Sequence, residues 1–298
     1  MRQCVADDPP LPCCDGLLEL LRLVPQSIGS QSHTLATRPF MLRPATNPEY
    51  GPAESAAGRQ NALLEAYFLG KVDFATCLAL EQRLAFEAGG LTEPRIALLL
   101  CEHLPLVTVG RQGSRGHLLF TGEDLLSHRL DVQWVSRGGG CVLHAPGQLA
   151  VYPIVPLERF GWSVGEYLTR FQTGLLRALE GFRMTLSLRP ERHGIWARSG
   201  QLVTMAAAVR NWVSLQGAFI NVAPPMDLVR KVLDPVDLVP MSSLAVERQQ
   251  VVKMTDLRTR LVPALAAAFD CDRFQIYTGH PLMREVAAQV DRGARRVG

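Results

Sequence analysis

The amino-acid sequence predicts an α+β fold, in which helices pack on a mixed β-sheet. From about residue 62 onwards, apolar runs of strand length are mixed with amphipathic stretches of helical period. The two kinds of segment do not follow a strict β-α-β order, so the pattern differs from that of a doubly wound parallel sheet. With 298 residues, 47% of them hydrophobic, the chain is long enough to bury a large core.

Residues 1–60 lack this patterning. Within them, RPFMLRPATNPEYGPAESAAG (38–58) is rich in Pro, Gly, Ser and Ala, which is typical of a disordered extension. The predicted organisation is therefore an extension over 1–60, a folded domain over 64–283 and a tail over 284–298.

The first strongly patterned segments are a helix and two strands. FATCLALEQRLAFEAGG (74–90) has its apolar residues at helical spacing, which places Cys77 on the core face. RIALLLCEHLPLVTVG (95–110) contains two apolar runs separated by Pro105, which predicts two buried strands around a turn. Cys101 ends the first run and is predicted to pack in the core.

Further elements follow in the same mixed order. After a Gly/Arg-rich loop, the sequence predicts five strands and two later helices. The loop is GRQGSRGH (110–117); the strands are DVQWVS (131–136), QLAVYPIVPL (148–157), HGIWA (193–197), QLVTMAAAVR (201–210) and QGAFINV (216–222); the helices are MDLVRKVL (226–233) and TDLRTRLVPALAAAF (255–269). Pro263 is expected to start or kink the last helix.

One short motif has two interpretations. GWSVG (161–165) matches the G-x-S-x-G turn that carries the nucleophile of serine hydrolases. Ser163 also stands three residues before Glu166, the spacing of a helix capping box, and an amphipathic helix follows with Phe171 and Leu175 on its apolar face. The capping interpretation is favoured.

Composition excludes several function classes. A formal net charge of +3 is too small to indicate a nucleic-acid partner. Seven cysteines without C-x-x-C spacing indicate neither a disulfide framework nor a metal site, and are typical of a reducing cytoplasm. The start of the chain lacks a signal peptide, and no apolar run reaches the roughly 18 residues of a membrane span, so no membrane partner is expected.

The order of the segments resembles that of a known enzyme family. The helix DFATCLALEQ, the loop VGRQGSRGH, the stretch RGGGCVLHAPGQLAVYPI, the helix SVGEYL, and the segments HGIWA, QGAFINV and MSSL resemble the octanoyltransferases of lipoate biosynthesis over about 64–283. These enzymes belong to the lipoate- and biotin-ligase superfamily. The most specific part is Arg137-Gly-Gly followed by His144-x-Pro-Gly-Gln; the Pro-Gly-Gln continuation favours transferases over ligases.

The resemblance implies an activity and its partners. An octanoyl group would pass from octanoyl-acyl carrier protein to the lysine of a lipoyl-domain protein, such as those of 2-oxoacid dehydrogenases or the glycine cleavage H protein. No cofactor is implied.

The resemblance also implies a substrate site built from three segments. Glycines let the backbone approach a ligand and present N–H groups to a carbonyl oxygen, and the flanking apolar strands can form a channel for an eight-carbon chain. A tight turn is the alternative interpretation of the glycines alone. The implied substrate-binding residues are Arg137, Gly138, Gly139, Gly140, Cys141, Val142, Leu143, His144, Thr204, Met205, Ala206, Gly217, Ala218 and Phe219.

The chain departs from the family at its catalytic dyad. In the family, a cysteine thiolate accepts the octanoyl group and a nearby lysine lowers the pKa of that thiol. An ungapped alignment through Gly217 and Asn221 puts Gln201 at the lysine position, and Val236 stands nearest the cysteine position. Gln216 replaces the histidine that usually precedes the glycine.

Two hypotheses of different classes follow from this departure. The chain has no cysteine between 142 and 270 and no lysine between 72 and 230, so both halves of the dyad are absent; the missing lysine also weakens a ligase activity. In the first hypothesis the protein is an acyltransferase that uses Cys141 as nucleophile, ionised with the help of His144 or Lys231. In the second it binds octanoyl groups, lipoyl groups or carrier domains without catalysis. For Cys141 itself, a buried inert thiol is the alternative to a nucleophile.

Overall fold

A computed structural model of the protein describes residues 62–90, 94–189, 192–233 and 239–297. The predicted extension over 1–60 lies outside these residues, and so does Val236. The bounds of the folded domain therefore stay a prediction.

The described residues form strands and helices in mixed order. The strands are β1 (Leu63–Val72), β2 (Arg95–His103), β3 (Leu106–Val109), β4 (Asp131–Trp134), β5 (Cys141–His144), β6 (Gln148–Ile154), β7 (Leu186–Arg189), β8 (Arg192–Ala197), β9 (Gly200–Met205), β10 (Ala208–Arg210), β11 (Val213–Leu215), β12 (Ala218–Asn221) and β13 (Arg273–Thr278). The helices are α1 (Phe74–Gly90), α2 (Gly122–Ser127), α3 (Leu157–Phe160), α4 (Val164–Glu180), α5 (Met226–Val229), α6 (Leu244–Arg248), α7 (Met254–Ala268) and α8 (Met283–Val297).

One large mixed sheet organises the fold. Its eight strands lie in the order β13-β1-β2-β6-β12-β9-β8-β7. β1 is parallel to both of its neighbours, β13 and β2, whereas the other neighbouring strands are antiparallel. A second sheet, β4-β3-β5, and the ribbon β10-β11 lie outside it. The predicted α+β fold with a mixed sheet is confirmed.

The central strands are buried on both faces. Along β2, Leu98 and Leu100 belong to the core layer formed with α4 and α7, whereas Leu99 and Cys101 belong to the layer formed with α1. This two-sided burial explains why the β2 sequence is an unbroken apolar run rather than an alternating one. Each fully buried leucine contributes about 2 kcal/mol of transfer free energy.

Helix α1 has the bounds that its sequence predicts. Cys77, Leu80 and Leu84 are all buried on the face that packs against β2 and β6. Among the described residues, no helix is both long enough and apolar enough to cross a bilayer.

Helix α4 begins at a serine cap. The Ser163 hydroxyl accepts a hydrogen bond from the Glu166 N–H at 3.1 Å, and the helix continues to Glu180. Phe171 and Leu175 are fully buried on its inner face. The capping interpretation of GWSVG is confirmed, because a residue at the N-cap satisfies a helix donor that would otherwise lack a partner.

Ser163→Ala is expected to lower the free energy of unfolding by about 1 kcal/mol, because the Glu166 N–H loses its acceptor. The octanoyl-transfer activity implied by the resemblance should be unchanged at temperatures where the variant is folded. Urea unfolding and a transfer assay measure the two quantities. A loss of activity without a loss of stability would contradict the capping assignment.

The structure differs from the prediction at two elements of the second half. Pro263 lies inside α7, so the expectation that it starts the helix is wrong; the buried Leu261, Val262 and Leu265 on either side offset the cost of an interior proline. The predicted strand 201–210 is divided into β9 and β10, because the chain leaves the sheet after Met205 to meet the glycine-rich loop.

Other elements were not predicted. β1 and β13 carry weaker apolar patterns, and β13 is exposed along its whole length at the edge of the sheet. β5 lies within the stretch that was predicted as a substrate loop, so part of that stretch is regular strand.

Candidate functional site

The glycine loop, defined as residues 137–140, connects β4 to β5. It lies directly against the Gly/Arg-rich loop at 110–112. Gly110 N–H donates to Gly140 O at 3.1 Å, Arg111 N–H donates to Arg137 O at 3.0 Å, and Gln112 N–H donates to Gly139 O at 3.1 Å. Two segments that the sequence predicted as separate loops therefore form one unit.

Arg137 holds this unit together from inside. Its side chain is fully buried, and the guanidinium donates to Gly138 O at 2.9 Å, Gly140 O at 3.0 Å, Thr108 O at 3.1 Å and Thr108 Oγ1 at 2.6 Å. Burial lowers the pKa of Arg137 to about 10, so the group is still charged at neutral pH. The contacts place Arg137 as the residue that fixes the shape of the loop.

The backbone of the glycine loop offers two donors. Gly138 N–H donates to Ala207 O at 3.1 Å, whereas within the described residues the N–H groups of Gly139 and Gly140 donate to no acceptor. Gly139 has a φ of +73°, and a Cβ there would lie 3.3 Å from Met205 O. The left-handed conformation and the close approach both require glycine. Two adjacent N–H groups therefore lack an acceptor among the described residues, that of half-buried Gly139 and that of buried Gly140.

His144 belongs to a chain of buried hydrogen bonds. Its Nδ1 donates to Gln148 Oε1 at 3.2 Å, and its Nε2 accepts from the Thr108 hydroxyl at 2.8 Å, which in turn accepts from Arg137. Gln148 Nε2 continues the chain to Asn221 Oδ1 at 3.0 Å. Burial lowers the pKa of His144 well below its ordinary value, so the ring is neutral. This network joins β3, β5, β6 and β12.

Cys141 begins β5, next to the glycine loop. Its thiol is covered and donates to Ser114 O at 3.4 Å, and burial raises its pKa. The two residues proposed to ionise it are engaged elsewhere: His144 in the network above, and Lys231 with the Asp124 carboxylate at 2.6 Å. Cys141 is protonated at neutral pH in this arrangement.

Gln201, which the ungapped sequence alignment puts at the family's lysine position, lies on β9. Its side chain is buried, and its amide Nε2 donates to Val203 O at 3.2 Å. Its backbone pairs with the segment that follows residues 234–238: Gln201 N–H donates to Pro240 O at 2.9 Å, and Ser242 N–H donates to Gln201 O at 2.8 Å. A neutral amide at this place cannot lower the pKa of a thiol as an ammonium group does.

A buried carboxyl group that the sequence did not single out lies near the site. Gln216, which replaces the family's histidine, has a φ of +55°, and its N–H donates to Glu81 Oε2 at 2.8 Å. Burial raises the pKa of Glu81 to about 8. Glu81 lies one turn after Cys77 on the inner face of α1. The sequence feature that could have identified Glu81 is the presence of a glutamate on the apolar face of the helix predicted over 74–90.

The predicted substrate residues of the three segments come together. The Phe219 ring lies 4.6 Å from the His144 ring, and the Arg137 Cζ lies 5.8 Å from the Phe219 ring. Ala206 N–H donates to Gly217 O at 2.7 Å, next to the glycine loop. Thr204 and Met205 pair with Phe219 and Ala218 across β9 and β12. These distant segments are therefore neighbours in the fold, and their role as a substrate site stays a prediction.

A cluster of thiols and an imidazole lies in the core layer on this face of the sheet. Cys77 Sγ is 3.8 Å from Cys101 Sγ, and Cys101 Sγ is 3.6 Å from His103 Nε2. The hydrogen bond from Cys77 and the nearby His103 ring lower the pKa of Cys101 to about 5. The His103 ring lies 5.5 Å from the His144 ring. Both cysteines, predicted as packing residues, are buried as expected, but they also contact each other.

Comparison with known proteins finds a family and a fold. Residues 73–266 match the family described as the lipoyl protein ligase A/B catalytic domain. A structure of lipoate-protein ligase A bound with ATP superposes with a TM-score of 0.61 at 15% identity, over 77% of this chain and 93% of that one. The structure of an archaeal bipartite lipoate protein ligase from Thermoplasma acidophilum gives a TM-score of 0.60 at 14% identity, over 76% of this chain and 92% of that one.

Curated relatives are similar at higher identity. The octanoyltransferase of Geotalea uraniireducens is 32% identical over 197 residues, which are 65% of this chain and 87% of the relative. The octanoyltransferase of Roseiflexus sp. is 31% identical over 240 residues, which are 78% of this chain and 99% of the relative.

Proposed function

Because the chain belongs to the family of lipoyl protein ligase A/B catalytic domains, we propose that it is an acyltransferase that moves an octanoyl group from octanoyl-acyl carrier protein to a lysine of a lipoyl-domain protein. The family resemblance that the sequence predicted is confirmed. Curated octanoyltransferases that match almost along their whole length support the transferase over a ligase.

The proposed partners are an acyl carrier protein as donor and a lipoyl domain as acceptor. The lipoyl domains of 2-oxoacid dehydrogenases and the glycine cleavage H protein are the proposed acceptors. The free thiols at Cys77, Cys101, Cys141 and Cys271 support a location in a reducing compartment, the cytoplasm.

The observation that carries the proposal is the pair of N–H groups in the glycine loop. Attack on a thioester carbonyl places negative charge on the carbonyl oxygen, and donors already in position stabilise that charge. Gly139 and Gly140 present such donors within the described residues, and Arg137 holds the loop so that they do not have to reorganise. This role is independent of which nucleophile attacks.

The apolar residues around the loop suit an octanoyl chain. Val142 and Phe219 belong to the same core layer as Ala206, on the face of the sheet that carries the glycine loop. Each methylene group that leaves water contributes about 0.8 kcal/mol, so an eight-carbon chain contributes on the order of 5 kcal/mol to binding. Chain length is therefore recognised by burial, and the loop positions the carbonyl group.

Cys141 is the proposed nucleophile, because it is the only cysteine inside the loop-and-strand segment at 137–149. Its thiolate would attack the thioester carbonyl carbon, and the carrier's thiol would leave with a proton. The acceptor's lysine amine would then attack the new thioester, lose a proton to solvent and keep the octanoyl group as an amide, while the Cys141 thiolate leaves. Atoms and charge balance without a cofactor.

The rate of Cys141 acylation is expected to rise with pH, about tenfold per unit between pH 7 and pH 9. Burial raises the pKa of Cys141, so the reactive thiolate is a minor form that increases as the proton is lost. The measurement is single-turnover acylation by octanoyl-carrier protein without acceptor, followed by intact mass. The added octanoyl group should be removable by hydroxylamine and absent in Cys141→Ser, and Cys271→Ser serves as the matched thiol control.

The same acylation assay distinguishes the Cys141 route from direct attack by the acceptor lysine and from binding without catalysis. If Cys141→Ser transfers octanoate as fast as the unmodified protein, the acceptor lysine attacks the carrier's thioester directly, positioned by the loop. If octanoate binds but neither adduct nor transfer occurs, the transferase proposal is overturned in favour of a non-catalytic octanoyl- or lipoyl-binding protein. The neutral amide of Gln201 at the family's lysine position is the observation that favours this second function.

A further inference from the structure

Three side chains from two different elements meet in the core. Cys77 comes from the inner face of α1, and Cys101 and His103 come from the end of β2. Their exposed fractions are 1%, 0% and 2%. We call these three residues the thiol–imidazole cluster. The proposed transfer reaction uses none of them.

Two of the three ligand separations within the cluster match those of a tetrahedral metal site. Zinc bound at about 2.3 Å by sulfur and about 2.05 Å by nitrogen separates two sulfur ligands by about 3.8 Å, and sulfur from nitrogen by about 3.6 Å. The structure has 3.8 Å between Cys77 Sγ and Cys101 Sγ, and 3.6 Å between Cys101 Sγ and His103 Nε2. The ligand atoms of all three residues lie within 4.8 Å of one another.

The histidine is oriented as a metal ligand. His103 Nδ1 lies 2.9 Å from the Val72 carbonyl oxygen, which can only accept, so Nδ1 carries the proton. The lone pair is then on Nε2, which faces Cys101. A backbone carbonyl that fixes the tautomer in this way is the usual outer partner of a metal-bound histidine. The Tyr152 hydroxyl also reaches Nε2 at 2.7 Å, and an ion would replace this hydrogen bond.

Charge and burial favour a divalent ion over an empty cluster. Two thiolates neutralise a 2+ ion, so the complex can lie in an apolar layer without an unpaired charge. Among the described residues, the group whose ligand atoms all lie within 4.8 Å of one another consists of Cys77, Cys101 and His103 alone, so a fourth position on the ion would be open to a water molecule.

A disulfide fits the cluster less well. Its sulfur atoms would be about 2.05 Å apart, far closer than the 3.8 Å observed, and it would leave the orientation of His103 unexplained.

We propose that Cys77, Cys101 and His103 bind a single zinc ion in a buried site with three protein ligands. Both sulfurs would bind as thiolates, with the Cys77 thiol proton released to solvent, and the ion would join α1 to β2. Because the ligands are buried and the His144 ring lies 5.5 Å from the His103 ring, the ion would stabilise the hydrogen-bond network at His144 without taking part in the transfer reaction. The inference goes beyond octanoyl transfer and does not depend on it.

Zinc content tests the proposal directly. The full chain, produced with added zinc and desalted, is expected to retain about one zinc per chain by elemental analysis. Cys77→Ser, Cys101→Ser and His103→Asn should each reduce this value at least tenfold, whereas Cys271→Ser, a cysteine outside the cluster, should leave it unchanged. A chelator should lower the Tm of the unmodified protein by about 5 °C or more, and should not lower that of His103→Asn.

A measurement on the unmodified chain keeps the test independent of how the variants fold. Cobalt(II) exchanged for zinc should give the visible absorption of tetrahedral cobalt and a sulfur-to-cobalt charge-transfer band. Absence of this charge-transfer band would overturn the proposal. Full zinc retention in the double variant Cys77→Ser/Cys101→Ser would also overturn it, because zinc would then be bound elsewhere, for example at Cys13 and Cys14. A metal-free chain two hydrogens lighter, with Cys77 linked to Cys101, would also overturn it.

Discussion

Gly139→Val is expected to lower kcat/KM for octanoyl transfer by about a thousandfold. Gly139 has a φ of +73°, which a β-branched residue does not adopt without strain, and a Cβ there lies 3.3 Å from Met205 O. The loop must therefore shift, and its N–H donors move away from the carbonyl oxygen. Removal of one such donor costs about a hundredfold to a thousandfold in rate, and the valine side chain also occupies space next to β9.

Gly70→Val is the matched control for this substitution. Gly70 also has a φ of +73°, but nothing lies within 4 Å of a Cβ built there, and the residue is in β1, away from the glycine loop. The control should carry a similar backbone strain and keep its activity. Both variants are compared by steady-state kinetics and thermal unfolding. If Gly139→Val stays within tenfold of the unmodified protein, the oxyanion role of the loop is wrong; equal losses in both variants would assign the effect to strain.

The double variant Gln201→Lys/Val236→Cys is expected to raise transfer activity about a hundredfold. A lysine ammonium beside a thiol lowers the pKa of that thiol from above 8 to near 7 or below, which increases the thiolate fraction at neutral pH. Gln201 is already buried on β9 beside the segment at 240–242. The new nucleophile should make acylation independent of Cys141.

The two single variants show whether the gain in transfer activity requires both substitutions. Val236→Cys alone lacks the ammonium group, and Gln201→Lys alone buries an amine without its partner, so neither should raise activity and the second should lower the Tm. Transfer is measured at pH 7 in the double variant, in both single variants and in the double variant with Cys141→Ser. A folded double variant that is no more active than the unmodified protein would show that the rest of the site is not arranged for the family's reaction.

Several features of the fold could be predicted from local pattern. The helical period of 74–90 and the two apolar runs around Pro105 gave α1, β2 and β3 with nearly correct bounds, because periodicity within one segment reports which face is buried. The Ser163 cap was predictable for the same reason, since a cap is a contact between neighbours in the chain. β13 was missed because all six of its residues are exposed, so its sequence carries no burial pattern.

Membership of the predicted substrate site stays a prediction, but the contacts in the structure bear on the roles of its residues. The sequence predicted Arg137 as a substrate-binding residue, and the contacts of its guanidinium with Thr108 and the glycine loop support a role in fixing the shape of that loop. The sequence likewise suggested His144 or Lys231 as partners of Cys141, and the structure engages both with other groups. The role of Cys141 as the nucleophile stays a proposal, which the acylation experiment tests.

The sequence by itself determined the fold class, the family, and the absence of any cysteine between 142 and 270 and of any lysine between 72 and 230, because these follow from local periodicity, segment order and residue identity. Only the tertiary structure decided which distant side chains meet. Cys77 and Cys101 are separated by 24 residues without any metal-binding spacing, and α1 packing on β2 brings them together with His103. Such proximity depends on how two apolar faces pack, and no pattern within either segment encodes it.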